Sequence, residues 1–492
     1  MSLIQINELT FRHDGGLEPV FDHATFRFDT DWKLGLVGRN GRGKSTLLQL
    51  LQGRWDYSGK ISAPGLTFSN FPAPVDDPRR SALEIAQEAA PVPLWRLQRE
   101  LALLEMPPAL LDRPFCCLSG GEQTKLLLSL LFLSEGDYPL IDEPTNHLDL
   151  AARAAVARYL RGKGGFLLIS HDRALLDGCT DHTLALTRTG TELVNGGFSV
   201  WLAEREQRNQ SELEENRRLR QDIRRLEEAA RRTQGWSDRV EQTKYSTKNS
   251  GLRPDRGYLG HKSAKLMKRA KSMEARQEQA AAEKSKLLKN VEQSPPLKLQ
   301  PLRHHAQTLA WLKNVAVTYD GRAVCREVSF TVEQGERLAL CGRNGSGKSS
   351  LLRLLAPPGP DYTGEVWTAG GLHVSFVPQD AAFLSGSLSA FIARHGLDES
   401  LFKAILRKLD FSRAQFELDM GGYSAGQKKK VLLAKSLCEK AHLYVWDEPL
   451  NYIDVFSRIQ LEELLRDSPC TLLVVEHDNA FLDRIGARRV SL

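Results

Sequence analysis

Short apolar runs bounded by turn-forming residues recur along the chain. KLGLVG (33–38), YPLID (138–142) and FLLIS (166–170) in the first half have counterparts in RLALCG (337–342), LYVWD (443–447) and TLLVVE (471–476) in the second. Runs that stay apolar at successive positions need cover on both faces. They alternate with apolar-rich helical stretches such as Leu47 to Leu51 and Leu351 to Leu355. That alternation predicts an α/β fold on a largely parallel core sheet. Pro139 interrupts one run, and because proline cannot donate to a ladder it predicts the start of that strand.

The pattern is duplicated. GRNGRGKS (38–45) returns as GRNGSGKS (342–349), with Lys44 and Lys348 separated by 304 residues. Ser119 of LSGGEQ and Ser424 of YSAGQ are 305 apart, as are Asp142 and Asp447, while His171 and His477 are 306 apart. Four pairs in one order at one offset imply a duplicated domain. At 492 residues the chain exceeds the roughly 250–300 at which one core usually splits. The expected organisation is two P-loop nucleotide-binding domains in tandem, 1–200 and 301–492, around a connector at 201–300.

GxxxxGK[ST] after a strand and ahead of a helix is a phosphate-binding loop. Gly38, Asn40, Gly41, Gly43, Lys44, Ser45 and Thr46 compose it in the first copy. Gly342, Asn344, Gly345, Gly347, Lys348, Ser349 and Ser350 compose it in the second. The glycines let backbone N–H groups point at phosphates, and the helix N-terminus adds partial positive charge. Lys44 and Lys348 are expected to reach the β- and γ-phosphates of ATP, with Ser45 and Ser349 on Mg²⁺.

LSGGEQ and YSAGQ resemble the signature sequence of ABC ATPases, lying between the loop and a DEP tripeptide in both copies. The resemblance implies that Ser119, Gly120 and Gly121, and Ser424, Gly426 and Gln427, cap the γ-phosphate held by the opposite domain. Asp142 and Asp447 end apolar strands and resemble the Mg²⁺-side aspartates. Glu143 and Glu448 follow where the family keeps the carboxylate that polarises the attacking water, a role needing a strand terminus beside the metal. His171 and His477 resemble the switch histidine. Head-to-tail closure then pairs Lys44, Asp142, Glu143 and His171 with Ser424, Gly426 and Gln427 as site one. Site two pairs Lys348, Asp447, Glu448 and His477 with Ser119 and Gly121, and both are expected to hydrolyse ATP. The copies also differ. Gln379 of FVPQ supplies a Q-loop glutamine that reaches the metal, whereas the first copy has Ala73; Tyr319 suits adenine stacking, whereas the first copy has His13; Tyr452 stands opposite His147. Equal turnover at the two sites is not implied.

Charge adds the connector to this picture. The chain carries a net +6, yet residues 201–300 hold 24 Lys/Arg against 15 Asp/Glu, and 231–290 hold 16 against 6. A localised basic element on a near-neutral remainder is the footprint of a polyanion-binding part. Leu213, Leu219, Ile223, Leu226 and Ala230 share one helical face, and Leu266, Met273, Ala280 and Leu287 recur every seven residues, a narrow coiled-coil seam. Gly251, Pro254, Gly257 and Gly260 lie between. An antiparallel helical hairpin follows, with arms of about 30 residues and a tip near 245–260. Trp236, Tyr245 and Tyr258 are interleaved there with Arg239, Lys244, Lys248, Arg253, Arg256, Lys262, Lys265, Lys268 and Arg269. Bases for phosphates beside rings that stack on bases suit folded RNA. Seven scattered cysteines with no CxxC argue against a disulfide framework or zinc site. No apolar stretch reaches the roughly 18–20 residues of a membrane span, so a cytoplasmic address is expected.

Two fused ABC domains, no membrane segment and a basic helical linker resemble the ABC-F family across essentially the whole chain. The stretch 257–292 is similar to the branch that protects ribosomes from lincosamides, streptogramin A compounds and pleuromutilins. The resemblance implies a monomer that closes its own two domains on ATP and Mg²⁺. It implies binding in the tRNA exit site, with 231–290 directed at 23S rRNA and P-site tRNA, and displacement of a drug from the peptidyl-transferase centre. A housekeeping ABC-F translation factor is the alternative, and the motor subunit of an exporter a more distant one.

Overall fold

In a computed structural model of the protein, the structure describes residues 2–13, 19–134, 136–145, 148–187, 190–245, 268, 272, 275–276, 279–280, 299–319, 322–356, 359–412 and 414–492. The chain divides into two compact units, Met1–Trp201 with Pro295–Leu492, and Leu202–Ser294.

The first unit holds both copies, each built as an α/β core with a small antiparallel sheet. The core sheet of the first copy runs Thr67–Phe71, Asp137–Asp142, Phe166–Ile169, Lys33–Gly38, His182–Thr187, Gly190–Asn195, parallel except for its last pair. That of the second runs Val374–Val377, Leu443–Asp447, Leu472–Val475, Arg337–Cys341, Arg488–Ser491, parallel throughout. The three-stranded antiparallel sheets place Leu3–Phe11 between Phe21–Asp29 and Ser58–Ser62, and Thr308–Tyr319 between Arg322–Glu333 and Tyr362–Thr368.

The second copy shows why its strands read as unbroken apolar runs. Leu443, Val445, Leu473 and Val475 face a core shared with the helix Lys348–Leu355. Their neighbours Tyr444, Trp446, Leu472 and Val474 face the other side, against the helix Ala425–Cys438. Alternate side chains point to opposite faces, so a sheet covered twice needs apolar residues at every position. Each fully buried side chain of this kind contributes about 1.5–3 kcal/mol.

Pro139 departs from expectation. The strand begins at Asp137, so Pro139 is its third residue and pairs with Ser69. The ladder to Phe166–Ile169 starts only at Leu140, so proline lies ahead of that ladder and interrupts nothing within it.

The helix Phe198–Tyr245, which belongs to the second unit from Leu202 onward, runs 48 residues, about 72 Å at 1.5 Å per residue. It is longer than the expected arm because it starts earlier, at Phe198 and Trp201, both fully buried. Leu213, Leu219, Ile223 and Leu226 are half-buried along it. Of the basic and aromatic tip residues, those beyond Tyr245 lie outside the described residues except Lys268, which is helical. Leu266, Met273 and Leu287 of the proposed seam lie outside them too. Among the described residues, no helix is long and apolar enough to cross a membrane.

Candidate functional site

Both phosphate loops adopt one conformation. Gly41 and Gly43 have φ of 82° and 88°, and Gly345 and Gly347 have 81° and 87°. These left-handed values favour glycine, and at Gly43 a Cβ would also come within 2.5 Å of Val20 Cγ1. The loop lysines are buried and fold back on their own loops. Lys44 Nζ donates to Gly38 O at 2.7 Å, Arg39 O at 3.2 Å and Asn40 Oδ1 at 3.4 Å. Lys348 Nζ donates to Gly342 O at 2.9 Å and Arg343 O at 2.8 Å. Burial lowers the pKa of both ammonium groups, with nearby carboxylates opposing it. A cation buried among carbonyls at the mouth of a helix is poised for an anion.

At the first loop the two copies meet around a cavity of about 620 Å³. Asn40, Gly41, Gly43, Lys44, Ser45, Thr46, Asp142, Glu143 and His171 line it from one side, and Ser424, Gly426 and Gln427 from the other. Ser424 is the N-cap of Ala425–Cys438, and Gln427 returns a bond to its N–H at 2.8 Å, a capping box. The helix N-terminus is thereby fixed beside the cavity. Asn40 Nδ2 donates across the copies to Tyr452 O at 3.3 Å, and Arg39 pairs with Asp410 at 3.7 Å. Gly426 is needed for close approach, since a Cβ there would lie 2.6 Å from Tyr452 O. His13 also lines the cavity, its ring edge-on to Phe11 and Trp55 at 4.9 and 5.6 Å and its Nε2 3.5 Å from Thr46 Oγ1.

The second loop is covered differently. A cavity of about 390 Å³ is lined by Asn344, Gly345, Gly347, Lys348, Ser349, Ser350, Gln379, Glu448 and His477, with Leu148 and Arg153 from the first copy. Ser119 and Gly121 are not among its lining residues. Ser119 is exposed at the N-terminus of Gly120–Leu133, in a capping box with Glu122. Tyr319 is 43% exposed, its hydroxyl 3.1 Å from Ser350 Oγ.

The carboxylates end the strands as expected. Ser45 Oγ donates to Asp142 Oδ2 at 3.0 Å, and Ser349 bonds Asp447. Burial raises Asp142 and pushes Asp447 up to about 6. Asp447 Oδ1 is buried with no hydrogen-bond partner. Glu143 and Glu448 both sit in the left-handed region, at φ 51° and 45°, a strained conformation that costs of order 1–3 kcal/mol and clusters at functional sites. Their surroundings then diverge. His171 Nε2 lies 3.4 Å from Glu143 Oε1, and burial, with Asp142 adding, pushes that carboxyl up to about 8. Burial acts the same way on Glu448, but His477, Gln379 and Asn451 beside it hold it at about 2. Asn451 Nδ2 donates to it at 2.5 Å, and His477 Nε2 stands 3.7 Å away. Burial also lowers His171 well below the ordinary histidine range.

Three participants escaped the sequence reading. Lys430 lines the first cavity, 3% exposed, with its Nζ 2.9 Å from Asp454 Oδ2 and 2.6 Å from Leu409 O. Lys429, 2% exposed, donates to Pro378 O, Gln379 O and Asp447 O at 2.8, 3.3 and 2.8 Å. It ties the Q-loop to the Asp447 strand, and Thr124 occupies the equivalent position in the first copy. Asp454 is fully buried and caps the helix Val455–Asp467. The sequence offers only a weak signal: KKK (428–430) lies near a helix N-terminus, where the helix dipole disfavours cations. His147, opposite Tyr452 in the alignment of the copies, lies outside the described residues.

Comparison with known proteins finds the same organisation. The sequence model described as ABC transporter matches residues 21–146 and 325–451. The chain is similar to the ATP-binding protein Uup of Caulobacter vibrioides, 28% identical over 97% of this chain and 75% of that protein. It is 27% identical to the ribosome protection protein VmlR of Bacillus subtilis, over 95% of this chain and 83% of that protein. Among solved structures, archaeal ribosome recycling factor aABCE1, crystallised with the ribosomal stalk protein aP1, superposes with a TM-score of 0.62 at 20% identity. That superposition covers 98% of this chain and 87% of that chain.

Proposed function

The chain belongs to the ABC transporter family and is an ATPase, and on that premise we propose that it is an ABC-F-type protein whose ATP cycle is spent on the ribosome. The observation that carries the reading is the cavity at Lys44, closed by Ser424, Gly426 and Gln427 of the other copy. A nucleotide held there touches both copies at once, so ATP favours one of two arrangements of the halves. In this reading Lys44 and Lys348 hold the phosphates, Glu143 and Glu448 orient the attacking water, and His171 and His477 hold those glutamates in place. Ser119 and Gly121 complete the second site when the nucleotide is bound.

Mg²⁺ fits the residues present. Asp447 offers a buried oxygen without a partner, and Ser45 with Asp142 pairs a hydroxyl and a carboxylate at 3.0 Å. Among the described residues no trio of His, Cys, Asp or Glu converges as a self-sufficient metal cage, which suits an ion bound through one carboxylate plus substrate phosphates. Ser45 and Asp142, and Ser349, Asp447 and Gln379, are the residues that would hold it, and it would neutralise phosphate charge.

The basic connector, residues 231–290, supplies the contact with 23S rRNA and P-site tRNA, in the cytoplasm and from the tRNA exit site. The finer proposal is protection of the peptidyl-transferase centre from antibiotics, supported by the likeness to VmlR. The protein should let a susceptible host grow in lincomycin or tiamulin. Replacing Asn249–Gly260 by a short glycine turn should abolish that growth while ribosome binding persists in part, because the remaining basic residues keep most phosphate contacts. Protection by the truncated protein equal to the parent's would overturn the role given to the tip. Ribosome binding without any drug effect in the intact protein would instead favour a housekeeping translation factor.

A further inference from the structure

We propose that Cys116 and Cys117 form a vicinal-dithiol site for a trivalent, thiophilic metalloid such as an arsenical, and that its occupation stalls the adjoining signature helix. They are adjacent in sequence and both exposed, whereas Cys179, Cys325 and Cys470 are buried and Cys341 and Cys438 half-buried. The two thiols are carried on one turn, and the Cys116 side chain next to it holds the Cys117 thiol above its ordinary range. A thiol so held is slow toward one-site alkylation, which needs the thiolate. A centre that exchanges its oxygen for two sulfurs removes both protons in the same reaction and gains from having both donors on one turn.

The turn that carries the pair is anchored on both sides. Phe115–Cys117 is a single 3₁₀ turn. Phe115 N donates to Arg80 O at 2.9 Å and Cys116 N to Pro78 O at 2.7 Å. From the other side, Gln123 Nε2 of the helix Gly120–Leu133 donates to Phe115 O at 3.0 Å and Leu118 O at 3.1 Å. The carbonyls flanking the pair are thus gripped by the helix that Ser119 caps. A centre bound to both Sγ atoms constrains this turn, and Gln123, bonded to Phe115 O and Leu118 O, is the route by which that constraint reaches the helix Ser119 caps. The equivalent turn of the second copy, Met420–Gly422, contains no cysteine, so the effect is confined to the first signature helix.

The chemistry balances without a redox partner. An organoarsenic(III) oxide takes two thiols, forms two As–S bonds and loses its oxygen with both thiol protons as one water; arsenic stays trivalent. The effect on turnover rests on the proposal that Ser119 completes the second ATP site; the binding does not. The test uses phenylarsine oxide on the full chain, with ATPase assay and peptide mass spectrometry. One adduct per chain is expected, on the tryptic peptide containing both cysteines. Turnover should fall about tenfold, as for a small displacement of a positioned group, and return with 2,3-dimercaptopropanol but not with a monothiol. Cys116→Ser and the double Cys116→Ser/Cys117→Ser should keep basal turnover, take no arsenic and ignore the reagent. No adduct on the parent, or an equal one on the double variant, overturns the site. An adduct on the pair with unchanged turnover overturns the coupling to the signature helix.

Discussion

Lys430→Met isolates the ion pair that joins the second signature helix to the loop crossing toward the first phosphate site. Lys430 and Asp454 are 3% and 0% exposed, 2.9 Å apart. Asp454 Oδ1 also accepts Ser457 N at 3.0 Å as the cap of Val455–Asp467. Removing the ammonium leaves a fully buried carboxylate with its cap bonds only, and breaking a buried pair in this way costs about 3–5 kcal/mol. With a urea slope of about 1–3 kcal/mol per molar, the midpoint of the second copy should fall by about 1 M or more. Asp454→Ser in the same background removes the orphaned charge and keeps a capping oxygen, so the double variant should be more stable than Lys430→Met alone. Burial raises Asp454, but Lys430 and the Ser457 N–H outweigh it and hold the carboxyl well below the usual range. A depressed acid stabilises the fold above its unfolded pKa and loses that contribution as pH falls through the folded one. Without Lys430 the buried carboxyl shifts upward and its protonation removes the orphaned charge, so the stability deficit of Lys430→Met relative to the parent should shrink as pH falls. A midpoint shift under about 0.3 M, or a double variant less stable than the single, would refute the reasoning.

Lys44→Ala and Lys348→Ala should each lower ATP turnover by about 10²-fold in a steady-state phosphate-release assay; a large effect at one and none at the other would mean that the sites do not fire together. Gly426→Ala places a Cβ 2.6 Å from Tyr452 O and should reduce turnover about tenfold without changing the circular dichroism of the fold; unchanged turnover would remove the Tyr452 contact from the account.

The duplicated motifs were legible because each needs particular residues at a particular chain position. A left-handed loop needs Gly43 and Gly347, a strand end carries Asp142 and Asp447, and a capped helix starts at Ser119 and Ser424. Doubly covered strands were legible for the same reason, since every position is apolar. Tertiary partners were not. Lys429 and Lys430 look like a solvated charged face until the carbonyls of Pro378, Gln379, Asp447 and Leu409 are seen around them. The opposite environments of Glu143 and Glu448 were also hidden: Gln379 bonds the one, where the first copy has Ala73, and Asn451 bonds it too, its counterpart Asn146 lying outside the described residues. Pro139 misled because a strand's edge in one ladder can be its interior in another.

The central claim is that ATP closure of the two copies drives ribosome binding, and Glu143→Gln with Glu448→Gln tests it most directly. Both substitutions keep side-chain volume and replace the carboxyl proposed to orient the attacking water, so ATP should bind and persist. Sedimented through sucrose with ATP and ribosomes, the double variant should travel with the ribosomes while the parent stays largely at the top. If the variant retains ATP and still remains at the top like the parent, the ATP-closed form is not the ribosome-binding form, and the account is contradicted.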